Sequence, residues 1–479
     1  MEIKEIAINK KSTLKEALKS LDKSGLGIIF IIDDVGSLVG VLTDGDIRRF
    51  LLQGGNVDMR VGRAMNNNFF SLSIKTDNEK ILESINNKIK IIPLIDDKGK
   101  IIDYASINRL RRISISEPLL EGNELLYVTD CIKTNWISSQ GKYVRLFEQK
   151  FKDYHEGFEA LAVSNGTVAL HLALQALGVG EGDEVIVPNL TFAASINAVL
   201  YTGATPVLVD VERDSFNIDT SKIEQKITNR TKAIMPVHLY GQPCNMDEIS
   251  TISNKYNLLI IEDCAEALGS TYKNRPVGVF GDAATFSFFG NKTITTGEGG
   301  MVLFKDPTIA NKASILRDHG MSKERRYWHD FVGYNYRLTN MQAAVGVAQF
   351  ERLNTFVLAK RKLAEIYNKT LNSCSFFQTP IEKENTFNSY WLYTFLVNDS
   401  APFKREELME YLSKKAIESR PVFYPLHVMP PYELFGNTME LDVSIEISNS
   451  GISLPSAVSL SELEANYICD CISNFIKKF

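Results

Sequence analysis

Four short runs, apolar almost throughout, recur in the middle of the chain: Glu184-Val185-Ile186-Val187-Pro188, Thr205-Pro206-Val207-Leu208-Val209-Asp210, Ala233-Ile234-Met235-Pro236-Val237 and Leu258-Leu259-Ile260-Ile261-Glu262-Asp263. They read as strands, and segments with helical spacing of apolar residues lie between them. This alternation starts at Ile113-Ser114-Ile115-Ser116-Glu117-Pro118 and continues to about residue 350. It predicts an α/β fold with a mostly parallel sheet and helices on both faces. A long helical stretch is expected near residues 340–373, and the last hundred residues read as a smaller α+β domain. The expected division is 1–113, 114–365 and 366–479, in keeping with a chain of 479 residues, too long for one ordinary domain.

The first hundred residues repeat internally. Thr13-Leu14-Lys15-Glu16-Ala17-Leu18 through Ile31-Ile32-Asp33-Asp34-Val35-Gly36 aligns without gaps onto Thr76-Asp77-Asn78-Glu79-Lys80-Ile81 through Leu94-Ile95-Asp96-Asp97-Lys98-Gly99, at a constant offset of 63. Each copy predicts a helix, a strand, an Asp-Asp-x-Gly turn, a second strand and a closing helix, and two such copies pack into one α+β unit. The segment resembles a tandem pair of cystathionine-β-synthase-type (CBS) modules over residues 1–113. That resemblance implies an adenine nucleotide held by a Ser/Thr and an Asp three residues later. Thr43 and Asp46 supply the pair in copy one; copy two has Ser106-Ile107-Asn108-Arg109, without the acid. A structural or oligomerising module is the alternative reading.

Composition excludes several classes. Hydrophobic content of 44% and charged content of 23% are those of a soluble globular protein. A net charge of −5 and a pI near 5.9 speak against a general nucleic-acid or membrane-surface binder. The start shows no apolar signal region, and no apolar stretch is long enough to span a bilayer, so a cytoplasmic protein is expected. Cys131, Cys244, Cys264, Cys374, Cys469 and Cys471 have neither disulfide nor zinc spacing, and no metal site is expected.

Three segments carry chemistry. Ser164-Asn165-Gly166-Thr167 follows a strand-like run and opens the helix Val168-Ala169-Leu170-His171-Leu172-Ala173-Leu174. Free N–H groups at a helix start make an anion site, and Gly admits the anion closely; a simple helix cap is the alternative. Asp263 ends a buried parallel strand, where ligands bind in open α/β sheets, and a heterocyclic N–H⁺ would suit it. The bland reading is an acid capping the next helix, a part also expected of Glu262. Lys292 follows Phe286-Ser287-Phe288-Phe289-Gly290-Asn291 at the edge of a Gly- and Thr-rich turn. Such a poorly hydrated amine can lose its proton and attack a carbonyl. Phosphate turn, acid and lysine in this order are the parts of a pyridoxal 5'-phosphate (PLP) site.

With these segments the chain resembles the DegT-type sugar-nucleotide aminotransferases, of fold type I (aspartate aminotransferase-like), from about Arg112 to Phe479. The resemblance is carried by Trp136-Ile137-Ser138-Ser139, Ser164-Asn165-Gly166-Thr167, Glu262-Asp263-Cys264-Ala265-Glu266-Ala267, Thr285-Phe286-Ser287-Phe288-Phe289-Gly290-Asn291-Lys292 and Gly333-Tyr334-Asn335-Tyr336-Arg337. It implies that Lys292 is the Schiff-base lysine and proton carrier and that Asp263 pairs with the pyridine nitrogen. Glu266 then lies near the ring hydroxyl and Phe192 stacks on the ring. Gly166, Thr167 and Ser287 bind phosphate, and Asn335 reaches the phosphate of a neighbouring subunit, which requires a homodimer or higher homo-oligomer. Lys292, where some relatives have His, implies transamination rather than dehydration.

Within the family, Arg326-Tyr327-Trp328 and Glu418-Ser419-Arg420-Pro421-Val422-Phe423-Tyr424-Pro425-Leu426-His427 are similar to the perosamine-forming members. The implied reaction moves the amino group of L-glutamate to C4 of GDP-4-keto-6-deoxy-D-mannose, on the way to a bacterial surface polysaccharide. Tyr327 and His427 are then candidates for the sugar or nucleotide pocket. Arg337 and Arg420 could meet carboxylates or phosphates, or form structural ion pairs. The same chemistry on a UDP-linked 4-keto-6-deoxy amino sugar is the alternative. An adenine-nucleotide sensor with a noncatalytic C-terminal scaffold is the reading from another class, against which Lys292, Asp263 and Ser287 stand together.

Overall fold

The computed structural model describes residues 3–74, 76, 78–86, 88–106, 113–436 and 440–479. It divides into two units, Met1–Arg112 and Ile113–Phe479.

In the first unit the repeat is visible bond by bond. Ala7–Asn9 pairs parallel with Ile28–Ile32, which pairs antiparallel with Leu38–Thr43. Leu72–Ser73, Ile91–Ile95 and Ile101–Ser106 repeat that arrangement, and Ile28↔Thr43 recurs as Ile91↔Ser106. Both Asp-Asp-x-Gly turns close the same way. Asp33 Oδ1 accepts the N–H groups of Val35 and Ser37, and Asp96 Oδ1 those of Lys98 and Lys100, all at 2.9–3.0 Å. Gly36 and Gly99 sit in the left-handed region these turns require, at φ 88° and 75°. The helix Leu14–Ser24 starts at a Thr13/Glu16 capping box and buries Leu14, Ala17 and Leu21. The closing helix expected for copy two, with Asn108 and Arg109, lies outside the described residues.

The second unit is built on a seven-stranded sheet. Its strands are β1 (Glu159–Val163), β2 (Glu184–Pro188), β3 (Thr205–Val209), β4 (Thr231–Ile234), β5 (Leu259–Asp263), β6 (Ala283–Ser287) and β7 (Gly300–Phe304). The order is β1-β7-β6-β5-β4-β2-β3, and only β7 runs against its neighbours. The carboxyl ends of the other six therefore open on one edge of the sheet. The helix Gly166–Ala176 is buried from Ala169 through Leu174, since it is apolar nearly all round and packs against the sheet.

The helical stretch expected near residues 340–373 is two helices, Asn340–Phe350 and Leu353–Leu371. Neither Pro nor Gly breaks them. Side chains at the end of the first helix are tied to an earlier segment: Gln349 donates to Leu119 O at 2.9 Å, and Glu351, its C-cap, accepts from Asn123 and Tyr127. Leu353–Leu371 then runs on without interruption. Leu353, Phe356 and Val357 pack with Phe286 and Phe288, while Leu363, Ala364, Tyr367 and Leu371 pack with Tyr393 and Phe395. Tyr393 and Phe395 belong to a four-stranded antiparallel sheet ordered Phe377–Gln378, Tyr393–Val397, Gly451–Leu454, Arg420–Pro421. Among the described residues no helix is long and apolar enough to cross a membrane.

Candidate active site

The carboxyl edge of the large sheet gathers the acid, the amine and the helix start. Asp263 ends β5 and is 4% exposed. Its carboxylate accepts the Ser195 hydroxyl at 2.9 Å and the Ala265 N–H at 3.1 Å, and no ion pair engages it among the described residues. Burial pushes its pKa up, opposed by those hydrogen bonds and the charge of Lys292. Ser195 is itself placed by Thr191, one helical turn earlier, whose Oγ1 lies 3.0 Å from Ser195 Oγ. A buried carboxylate held in place but left without a cation is a receptor for a cationic N–H.

Glu262, one residue earlier, points elsewhere. It was expected to cap the next helix; instead it accepts N–H groups of Gly278, Phe280 and Gly281 and faces His238 Nε2 at 3.1 Å. His238 Nδ1 accepts the Cys244 N–H at 3.0 Å, so Nε2 carries the proton that Glu262 receives. Burial pushes the Glu262 carboxyl up, but the His238 hydrogen bond and the N–H groups of Gly278 and Gly281 outweigh it, holding the pKa below the usual range. His238, Glu262 and Cys264 lie within 4.8 Å of one another. The histidine and the acid are already committed to protein partners, and burial keeps the thiol protonated, with its pKa pushed well up. The cluster is a strand anchor.

Lys292 follows the end of β6 in a turn closed by its N–H to Phe289 O at 2.9 Å. Its side chain is 13% exposed, and Nζ lies 3.5 Å from Glu266 Oε1. Burial raises the Glu266 pKa, and Lys292 is the largest influence opposing it. The other Glu266 oxygen accepts the Tyr240 N–H at 3.0 Å. The lysine also rests on an aromatic face, 3.8 Å from the Trp391 ring centroid. Asn291, just before it, is held by its carbonyl, which accepts the Trp391 indole N–H at 2.7 Å and the Ser116 hydroxyl at 3.2 Å.

The helix start fits a phosphate. Asn165 caps the helix Gly166–Ala176 by accepting the Val168 N–H at 3.0 Å. The N–H groups of Gly166 and Thr167 have no intrahelical acceptor by position. A Cβ on Gly166 would stand 2.8 Å from Ser287 Cβ and 3.2 Å from its Oγ, so only glycine leaves the cradle between helix and β6 open. Phe192 is 59% exposed, with its ring 5.9 Å from that of Phe423. An exposed aromatic, a cation-seeking acid, an amine and an anion cradle match the ring, ring nitrogen, aldehyde and phosphate of PLP.

The remaining sequence candidates fall into other surroundings. Arg337 is paired with Asp318 at 2.7 Å and donates to Asn335 Oδ1 at 3.2 Å. It lines a cavity of about 330 Å³ with Arg317 and Lys323. Arg420 is paired with Glu418 at 3.2 Å. Tyr327 is 76% exposed, in a left-handed backbone conformation at φ 62°. His427 is buried, its backbone N–H bonded to Asn189 Oδ1 at 3.2 Å, and burial lowers its pKa. In the first unit, Thr43 and Asp46 cap their own helix, Asp44–Leu52: Thr43 Oγ1 donates to Asp46 Oδ2 at 2.6 Å and Arg49 pairs with Asp46 Oδ1. Sequence reasoning missed Ser195, Tyr240, Trp391 and Ser116. Only Ser195 had a local signal, its i+4 spacing from Thr191; the others reach the site through tertiary packing.

Both parts of the chain are similar to known proteins. The profile of the DegT/DnrJ/EryC1/StrS aminotransferase family matches residues 118–473, and that of the CBS domain matches residues 1–53, the first repeat copy. The chain is 50% identical over 366 residues to the GDP-perosamine synthase of Escherichia coli O157:H7, covering 76% of this chain and 99% of that enzyme. It is 45% identical over 363 residues to the GDP-perosamine synthase of Vibrio cholerae, covering 76% and 99%. Among solved structures, Helicobacter pylori PseC, an aminotransferase involved in the biosynthesis of pseudoaminic acid, superposes with a TM-score of 0.73 at 28% identity. That match covers 77% of this chain and 100% of PseC.

Proposed function

The chain belongs to the DegT/DnrJ/EryC1/StrS aminotransferase family, a PLP-dependent sugar aminotransferase by that membership, and from this premise we propose that it makes GDP-perosamine from GDP-4-keto-6-deoxy-D-mannose and L-glutamate. The observation that carries the reading is the convergence of Lys292, Glu266 and Asp263 at the sheet's carboxyl edge in a chain that is 50% identical to a GDP-perosamine synthase over that enzyme's length.

When bound, PLP supplies an electron sink that lets a Cα–H bond of the amino donor break. The chain's residues do the rest. Lys292 Nζ tethers the cofactor and carries the proton that leaves the donor's Cα. Asp263, seated by Ser195 and Ala265, holds a proton on the ring nitrogen, because a buried carboxylate without a cation favours a positive partner. Glu266, 3.5 Å from the amine, would meet the ring hydroxyl of the bound cofactor. The Gly166 and Thr167 N–H groups with Ser287 bind the phosphate, and Phe192 covers the ring. Asn335 reaches the phosphate of a neighbouring copy, so the active species is a homo-oligomer acting where nucleotide sugars are made, in the cytoplasm.

The test is isotopic. The protein is incubated with PLP and ¹⁵N-glutamate, and GDP-4-keto-6-deoxymannose and a UDP-4-keto-6-deoxy amino sugar are offered separately. Label in the GDP sugar alone supports the proposal. Label in the UDP sugar alone keeps the residue roles and refutes the nucleotide; label in neither refutes the function.

A further inference from the structure

We propose that Trp391 is a positioning residue for Lys292, its indole face holding the amine in place whenever it is not bonded to the cofactor; this rests on the reading of Lys292 as the cofactor lysine. Lys292 Nζ stands 3.8 Å above the ring centroid, well inside the range of a cation–π contact, and Trp391 is 4% exposed, so water does not compete for that face.

The indole is fixed from several sides. Its Nε1–H donates to the carbonyl of Asn291, the residue before the lysine, at 2.7 Å. Its own carbonyl accepts from the buried Lys360 Nζ at 3.1 Å, and Lys360 in turn donates to Ser456 O at 2.6 Å. The Tyr240 ring lies nearly parallel to it, at 10° and 6.0 Å between centroids. Tyr240 also donates its backbone N–H to Glu266 at 3.0 Å. The same residue therefore sets both surfaces the amine meets, the Glu266 carboxylate at 3.5 Å and the indole face at 3.8 Å.

A face suits this task better than a second acceptor would. A lysine carries four rotatable bonds and must be confined to point usefully. A directional hydrogen bond would confine it and also occupy an N–H that has to turn toward its reaction partner. The ring quadrupole attracts the charge over an area, so the amine is confined in depth yet free to slide and rotate. Trp391 lies far from Lys292 in sequence and is brought over it by packing of the small antiparallel sheet against the helix Leu353–Leu371.

Fluorination tests this without altering shape. The full-length, cofactor-free protein is produced with mono-, di- and trifluorinated tryptophan in turn, and Lys292 acylation by acetic anhydride at fixed pH is followed by peptide mass spectrometry. Fluorine withdraws charge from the ring face, so Lys292 is expected to react faster at each step, by about threefold in the trifluoro protein. Trp136 and Trp328 are about half exposed and are substituted too. The same series on Trp391→Phe, where only those two carry fluorine, is expected to be flat. An unchanged Lys292 rate across the wild-type series, or an equal rise in Trp391→Phe, overturns the proposal. Wild-type protein is loaded with PLP in parallel. A flat series beside a protein with the lysine-bound cofactor's absorbance defeats the role of Trp391 alone, whereas a wild type without that absorbance defeats the assignment of Lys292.

Discussion

At the scale of single residues, function and stability pull against each other at Asp263. Burial raises its pKa, so its folded value lies above its unfolded one. The stability it contributes is present below the unfolded pKa and lost as pH rises through the folded one. At pH 7 the cofactor-free protein therefore carries the cost of burying this carboxyl. Asp263→Asn is expected to melt higher than wild type at pH 7 without cofactor, with the gap closing as pH falls toward 4, and to lose kcat by roughly 10²–10³-fold. Thermal melts across pH and steady-state assays check both halves. Gly166→Ala is decided by magnitudes. Alanine gains at most about 1 kcal/mol of helix propensity, while a Cβ 2.8 Å from Ser287 costs about 1–3 kcal/mol of overpacking and narrows the phosphate cradle. A lower melting temperature and weaker PLP binding in an absorbance titration are expected. Lys292, Asp263, Gly166 and Ser287 were legible in the sequence because each sits at a strand end or helix start with a local pattern. Trp391, Tyr240 and Ser116 were not, since nothing local marks residues whose partners lie 26, 100 or 175 positions away.

At the scale of elements, the alternation of apolar runs and helices announced the parallel part of the sheet, and the constant offset announced the repeated Asp-turns. The antiparallel course of β7 was hidden, because Gly300–Phe304 is as apolar as its parallel neighbours and burial on both faces erases any difference in pattern. The break at Glu351 was hidden too, since no Pro or Gly marks it and the hydrogen bonds there reach distant Asn123 and Tyr127. The helix Leu353–Leu371 carries a buried amine whose consequence is measurable. Burial pushes Lys360 down to about 7 from 10.5. Between those values the unfolded chain holds a proton that the folded protein has released, so this group adds stability as pH rises from about 7 toward 10.5 and loses it as pH falls through 7. Lys360→Met removes that dependence. Denaturant titrations at pH 7 and 9 are expected to show wild type gaining on the variant, by at most about 1.4 kcal/mol per pH unit. A constant difference would mean that the carbonyls of Trp391 and Ser456 keep the ammonium charged throughout.

At the scale of the whole molecule, every residue assigned to the site lies in the unit Ile113–Phe479. The first unit repeats a CBS-like fold whose Thr43 and Asp46 are engaged with each other as a helix cap, a state any nucleotide there would have to share or replace. The proposed function requires that one lysine, Lys292, bond covalently to PLP. Among the described residues, two lysines are buried enough to compete. Lys292 faces an acid and an aromatic face at the sheet edge, while Lys360 is 2% exposed and tied to two carbonyls. Borohydride reduction of the PLP-loaded protein, followed by digestion and peptide mass spectrometry, separates them. The cofactor's mass on the peptide carrying Lys292, and on no other, is the predicted result. Its appearance on the Lys360 peptide, or on none, would contradict the account.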